Sequence, residues 1–113
     1  MMVAYLIGEK ATVDKLNLYT KSEEMAVTSI TLADVALSLD DESVPHKIAD
    51  NFEVLSFDEK AALKSKKIYR IMQENGNDNV KIAYNAAIVI NNSAVMLTRD
   101  RRRYHGVPDL KLI

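Results

Sequence analysis

The sequence contains no cysteine. That excludes a disulfide framework and a thiolate metal site, and it favours an intracellular setting. Tryptophan is absent as well, and there are only 3 glycines and 2 prolines. No Pro/Gly-rich linker, repeat or low-complexity tract therefore divides the chain. Long apolar runs are also missing. The longest, such as Met1–Ile7 and Ala86–Ile90, fall far short of the roughly 20 residues that cross a bilayer as a helix. No basic segment followed by a hydrophobic stretch opens the sequence, so a secretory signal is not expected, and a cytoplasmic protein with no membrane partner is. Nor is there an excess of charge of one sign. Fifteen Lys and Arg stand against 16 Asp and Glu, for a net charge of −1. Any binding of nucleic acid would have to come from a local patch.

What remains is ordinary globular material. The chain has 113 residues, 48% of them hydrophobic and 27% charged, which fits one domain over residues 1–113 with a single core. Short β-like runs alternate with longer helical patterns. Residues 25–29, Phe52–Phe57 and residues 94–98 read as strands, and Leu110–Ile113 could add an edge strand. Helices are expected over Thr12–Tyr19, Thr31–Leu39, residues 58–74 and Val80–Asn91. In the third of these, Ser56 with Glu59 reads as a capping box, Asn75-Gly76 as a stop, and Ala62, Ser65, Tyr69 and Met72 as one face. Val80–Asn91 is nearly all apolar and should be buried. Asp40–Asn51, with Pro45, reads as a loop or a brief helical turn. Alternation of this kind predicts a mostly parallel sheet covered on both faces, with ligands beyond the carboxyl ends of its strands.

Two carboxylates sit where that rule points. Asp34 follows the strand ending at Ser29, and Asp100 follows the strand ending at Thr98. If those strands are neighbours, the acids converge. Paired hard oxygen ligands suit Mg²⁺ or Mn²⁺, which can activate water against a phosphodiester. The plainer alternative is that Asp34 favours its helix N-terminus and Asp100 makes a turn.

Five stretches, in order, resemble the PIN-domain family of VapC-type ribonuclease toxins. They are Tyr5-Leu6-Ile7-Gly8-Glu9; Ser29-Ile30-Thr31-Leu32-Ala33-Asp34; Phe52–Ala62, with its Asp58-Glu59-Lys60-Ala61-Ala62 helix start; Leu97-Thr98-Arg99-Asp100; and the closing Val107-Pro108-Asp109-Leu110-Lys111-Leu112-Ile113. The resemblance implies a three-layer α/β/α sandwich with a mostly parallel sheet of four to five strands. It also implies a quartet of acids that holds a divalent metal and cuts RNA, an antitoxin-like partner, and a homodimer. Carried over by position, the second acid is Asp34 and the fourth is Asp100, with Thr98 beside it. The third position is held by Ile82, which cannot ligate a metal. Asp78, earlier in the chain, is a substitute, or else a turn residue beside Gly76 and Asn77. No residue matches the first acid, which in the family ends the first strand. Either it lies upstream of Met1, or Met2–Ile7 is recruited as that strand, with Glu9 at its end as a substitute ligand. Such a site would hold Mg²⁺ or Mn²⁺ only weakly.

Arg99, Arg101, Arg102 and Arg103 crowd one short segment, followed by Tyr104 and His105. Guanidinium groups take phosphates bidentately, and an aromatic ring can stack on a base. The family has an acid at the position of Arg103, so this segment has moved from metal binding toward anion binding. The alternative is a solvated loop whose arginines pair with Asp100, Asp109 and neighbouring acids. His46 and His105 belong to no ligand-spaced motif and are expected at the surface. The expected function is that of a PIN-like protein with an eroded active site and weak or no nuclease activity. The alternative is a non-catalytic module that binds RNA or protein.

Overall fold

The computed structural model describes residues 2–5, 24–98 and 101–112. Four strands are described: β1 (Met2–Tyr5), β2 (Glu24–Thr28), β3 (Glu53–Leu55) and β4 (Val95–Leu97). They form one sheet in the order β3-β2-β1-β4, and every pairing is parallel. Met2–Tyr5, within the apolar run at the start of the chain, is thus a strand in the middle of the sheet. The chain end contributes one parallel bridge, Met96 with Leu112, secured by the Met96 amide on the Lys111 carbonyl at 2.9 Å. β2 and β4 are not neighbours, because β1 lies between them, which separates them by about 10 Å, or two strand spacings.

Parallel strands need crossovers, and helices supply those from β2 to β3 and from β3 to β4. Described helices are α1 (Ser29–Ser38), α2 (Ser43–Asn51), α3 (Glu59–Glu74) and α4 (Val80–Asn91). The helix expected over Thr12–Tyr19 lies outside the described residues. Successive residues of β2 point to opposite faces, and the core divides accordingly. Val27 packs with Val35 and Ile48 of α1 and α2. Ala26 packs with Ala61, Ile68 and Met72 of α3 and the apolar length of α4. Both residues are fully buried, as in a strand covered on both sides.

Local chemistry corrects three boundaries. The stretch around Pro45 is a full helix, α2. Pro45 falls in its first turn, where a missing N–H costs no intrahelical bond, and the Asp41 carboxylate accepts from the Ser43 amide at 2.9 Å. Helix α3 is capped by Asp58, whose carboxylate accepts from the Ala61 amide at 2.9 Å, and not by Ser56. Its buried stripe is Ala61, Ser65, Ile68 and Met72. Ala62 is exposed and Tyr69 half-buried, so the inward face is turned by about one residue from the expected one. Its end is as expected. Gly76 has φ +83°, and the Gly76 and Asn77 amides return to the Gln73 and Met72 carbonyls at 3.1 and 2.9 Å, a Schellman closure.

Candidate site at the carboxyl edge of the sheet

β2 delivers the first part of the site. It ends in Thr28, the N-cap of α1, whose hydroxyl oxygen accepts from the Thr31 amide at 3.1 Å. The same hydroxyl donates to Asn85 Oδ1 of α4 at 2.5 Å, and the Thr31 hydroxyl lies 3.0 Å from it. All three side chains are buried. A buried amide needs partners, so this cluster ties the end of β2, the start of α1 and the middle of α4 to one another. The first two turns of α1 then carry Asp34 onto the edge.

Across from Asp34 stands Lys81, in the first turn of α4. Its ammonium donates to Asp34 Oδ1 at 2.9 Å. The next residue, Ile82, turns inward and is only 3% exposed, as part of the core cluster. The position that the resemblance assigns to a third acid is filled by a buried hydrocarbon, and the Asp34 carboxylate, which it assigns to the second, pairs with an ammonium of the chain itself. Among the described residues, no three His, Asp or Glu side chains come together in a way that could hold a metal ion. Glu9, Asp100 and Arg99 lie outside the described residues. Asp78 is exposed in the α3–α4 loop, where its carbonyl accepts from the Tyr69 hydroxyl at 3.0 Å. Thr98 is buried directly after β4.

After β4 the chain makes a short 3-10 turn, Arg101–Tyr104. Tyr104 is 5% exposed and packs in the core, while Arg101, Arg102, Arg103 and His105 are exposed. Among the described residues, none of these arginines pairs with a carboxylate. The alternative pairing with Asp109 is thus not formed by Arg101, Arg102 or Arg103. Arg102, Arg103 and His105 instead line an open pocket of about 220 Å³, bordered on its other side by residues 76–79. A larger groove of about 500 Å³ runs between α1 and α2, lined by Leu32, Ala36, Pro45 and His46.

Sequence reasoning missed Lys81, Asn85 and Asn77. A signal existed for Asn85, since a lone amide inside an apolar helix must find a partner. None existed for Lys81, one of many lysines on helix surfaces.

No family model matches the chain, and no curated protein matches it. Solved structures do, and 28 of their chains resemble it. A chain of VapBC2 from Rickettsia felis, bound to a DNA fragment from its promoter, aligns over 100% of this chain and 98% of its own, at 17% identity and a TM-score of 0.76. For VapBC-1 from nontypeable Haemophilus influenzae the coverage is 100% and 97%, at 14% identity and a TM-score of 0.75. A member of the VapBC family of toxin-antitoxin systems, VapBC-5 from Mycobacterium tuberculosis, aligns over 79% and 80%, at 20% identity and a TM-score of 0.62. The fold is one found in toxin–antitoxin complexes. No helix among the described residues is long and apolar enough to cross a membrane.

Proposed function

We propose that the chain is a PIN-domain-like relative of metal-dependent VapC-type ribonucleases whose metal site has eroded. The observation that carries this reading is the Lys81–Asp34 contact at 2.9 Å beside the buried Ile82. A hydrated Mg²⁺ needs near-octahedral oxygen ligation from carboxylates, waters and substrate phosphates. Here one carboxylate is already engaged by an ammonium, and a second has become hydrocarbon. Mg²⁺ or Mn²⁺ then binds weakly, and hydrolysis of phosphodiesters, which depends on a fixed coordination geometry, is weak or absent. The fold shared over the full chain with members of toxin–antitoxin complexes supports the same reading. An antitoxin-like partner and a homodimer belong to it.

The test is cleavage of single-stranded RNA by the purified protein with Mg²⁺ or Mn²⁺, where little or none is expected. Robust cleavage abolished by Asp34→Asn would restore the ribonuclease and overturn the eroded site.

A second reading, a non-catalytic RNA-binding module, is favoured by the exposed basic turn. Its arginines are free of carboxylates among the described residues and can meet phosphates. That binding is expected to weaken steeply with salt, because each phosphate contact releases counterions. Loss of both cleavage and salt-sensitive binding would leave a protein-interaction module on the same scaffold.

A further inference from the structure

We propose that the cavity between residues 76–79 and the basic turn is a phosphate pocket, in which Arg102 and Arg103 receive a phosphate group of single-stranded RNA. The inference deepens the RNA-binding reading and rests on it only for what carries the phosphate.

Four observations support it. The cavity, about 220 Å³, is of a size to take a phosphate with its first waters or one adjoining sugar. Its basic side is lined by Arg102, Arg103 and His105, and among the described residues its acidic lining is Asp78 alone. Guanidinium groups match phosphate oxygens bidentately, and neither arginine is paired with a carboxylate among the described residues. The backbone that presents them is fixed from three directions. Tyr104 is anchored in the core. The Asn77 side-chain Nδ2 donates to the carbonyls of Arg103 and His105 at 3.0 and 2.9 Å. Gly106, at φ +77°, lies so close to Asn75 that an added Cβ would stand 2.7 Å from the Asn75 Cβ. Donors on a backbone already held in place bind at lower ordering cost than those of a free loop.

The facing wall is fixed too. The Asn79 amide donates to Asn77 Oδ1, and the Lys81 amide to Asn79 Oδ1, each at 3.2 Å. Asn77 therefore touches both walls and is a positioning residue. It lines the pocket and sets the distance between them. Asp78 opposes any anion here and favours groups able to draw on both guanidiniums.

The experiment titrates the full chain with inorganic phosphate, followed by amide shifts in NMR. A short single-stranded RNA is titrated separately and followed by fluorescence anisotropy. Phosphate should move the amides of residues 77–79 and 102–105 together. Arg102→Met and Arg103→Met should each weaken both ligands by roughly tenfold, the worth of one charge-assisted hydrogen bond. Asp78→Asn should tighten both. Asn77→Ala should weaken phosphate while leaving the thermal transition of the protein cooperative, and Asn77→Gln should not fully rescue, because its amide sits one methylene further out. Unmoved amides in the wild type would overturn the pocket. RNA binding that survives both arginine variants would also overturn it, while keeping the wider RNA-binding reading. Phosphate bound in the pocket with no RNA binding at all would uphold the cavity as an anion site and remove RNA as its source.

Discussion

Lys81 Nζ lies 2.9 Å from Asp34 Oδ1, a pairing of residues 47 apart in sequence that joins the first helix after β2 to the start of the buried helix. Both side chains are substantially exposed, at 60% and 45%, so the contact adds little to stability. Exposed pairs are worth about 0–1 kcal/mol. Its consequence is chemical. A carboxylate beyond the end of a parallel strand is placed to hold a ligand, and this one meets an ammonium with the same sign of charge as a metal ion.

The double replacement Lys81→Met with Ile82→Asp tests that consequence. It removes the internal cation and adds a carboxylate beside Asp34. Mn²⁺ affinity measured by calorimetry should rise over that of the wild type. Ile82→Asp alone should lower the thermal midpoint, since an unpaired carboxylate at a 3% exposed position costs several kcal/mol. Added Mn²⁺ should recover part of that loss by binding the folded state. If neither the affinity nor the midpoint responds to Mn²⁺, the edge has lost more than one ligand.

Gly106→Ala should be costly despite its size. The position has φ +77°, and the new methyl would meet the Asn75 side chain at 2.7 Å. A left-handed conformation costs a non-glycine residue roughly 1–2 kcal/mol, and the steric overlap adds to it. Gly76, at φ +83°, has nothing within 4 Å of an added Cβ, so Gly76→Ala should lose only the conformational part. Denaturant midpoints of the two variants compare them directly, and equal losses would mean that the approach to Asn75 is unimportant.

Asp41 should titrate below the ordinary carboxylate range. The first cause is the Ser43 hydroxyl, which donates to Asp41 Oδ1 at 2.6 Å, and the second is the Ser43 amide; desolvation opposes them, and Lys47 adds the least. A carboxyl whose folded value is depressed stabilises the fold above its unfolded value, and that contribution is lost as pH falls through the folded one. The start of α2 should therefore loosen only in acid. Ser43→Ala should move the Asp41 carboxyl titration upward in a carbon-detected NMR series. An unchanged titration would remove Ser43 as the cause.

Much of this fold was legible because it rests on local pattern. Buried parallel strands are apolar runs, and Met2–Tyr5, Ala26-Val27 and Val95–Leu97 could be read as such. The burial of α4 followed from its composition. The failures came where a local signal had two meanings. Pro45 reads as a breaker, yet it is tolerated in a first helical turn. In α3, Ala61 and Ala62 are equivalent in sequence, and only packing against Ala26 and α4 selects the former. The site was less legible, because its contacts join residues far apart in the chain. Lys81 with Asp34, and Asn77 with the carbonyls of a turn 26 and 28 residues away, have no periodicity to reveal them.

The Thr28–Asn85 bond offers the sharpest test of how that edge is held. Thr28 has two duties: its hydroxyl oxygen caps α1 through the Thr31 amide, and its proton satisfies Asn85 Oδ1. Thr28→Val keeps the shape and removes both. Loss of a cap costs about 0.5–2 kcal/mol, and an orphaned buried acceptor costs about 1–3 kcal/mol more. Thr28→Ser keeps the hydroxyl and should lose far less. Asn85→Leu alone removes the acceptor and leaves the cap intact, so its cost is that of fitting leucine and of freeing the Thr28 proton to turn toward Thr31. In the double variant Thr28→Val with Asn85→Leu, no orphaned acceptor remains. Its loss should fall short of the sum of the singles by about 1 kcal/mol or more, the coupling expected between groups in direct contact. Urea midpoints of the four proteins give that coupling. Strict additivity would mean that the two side chains do not depend on each other, and that α1, with Asp34 on it, is positioned by apolar packing alone.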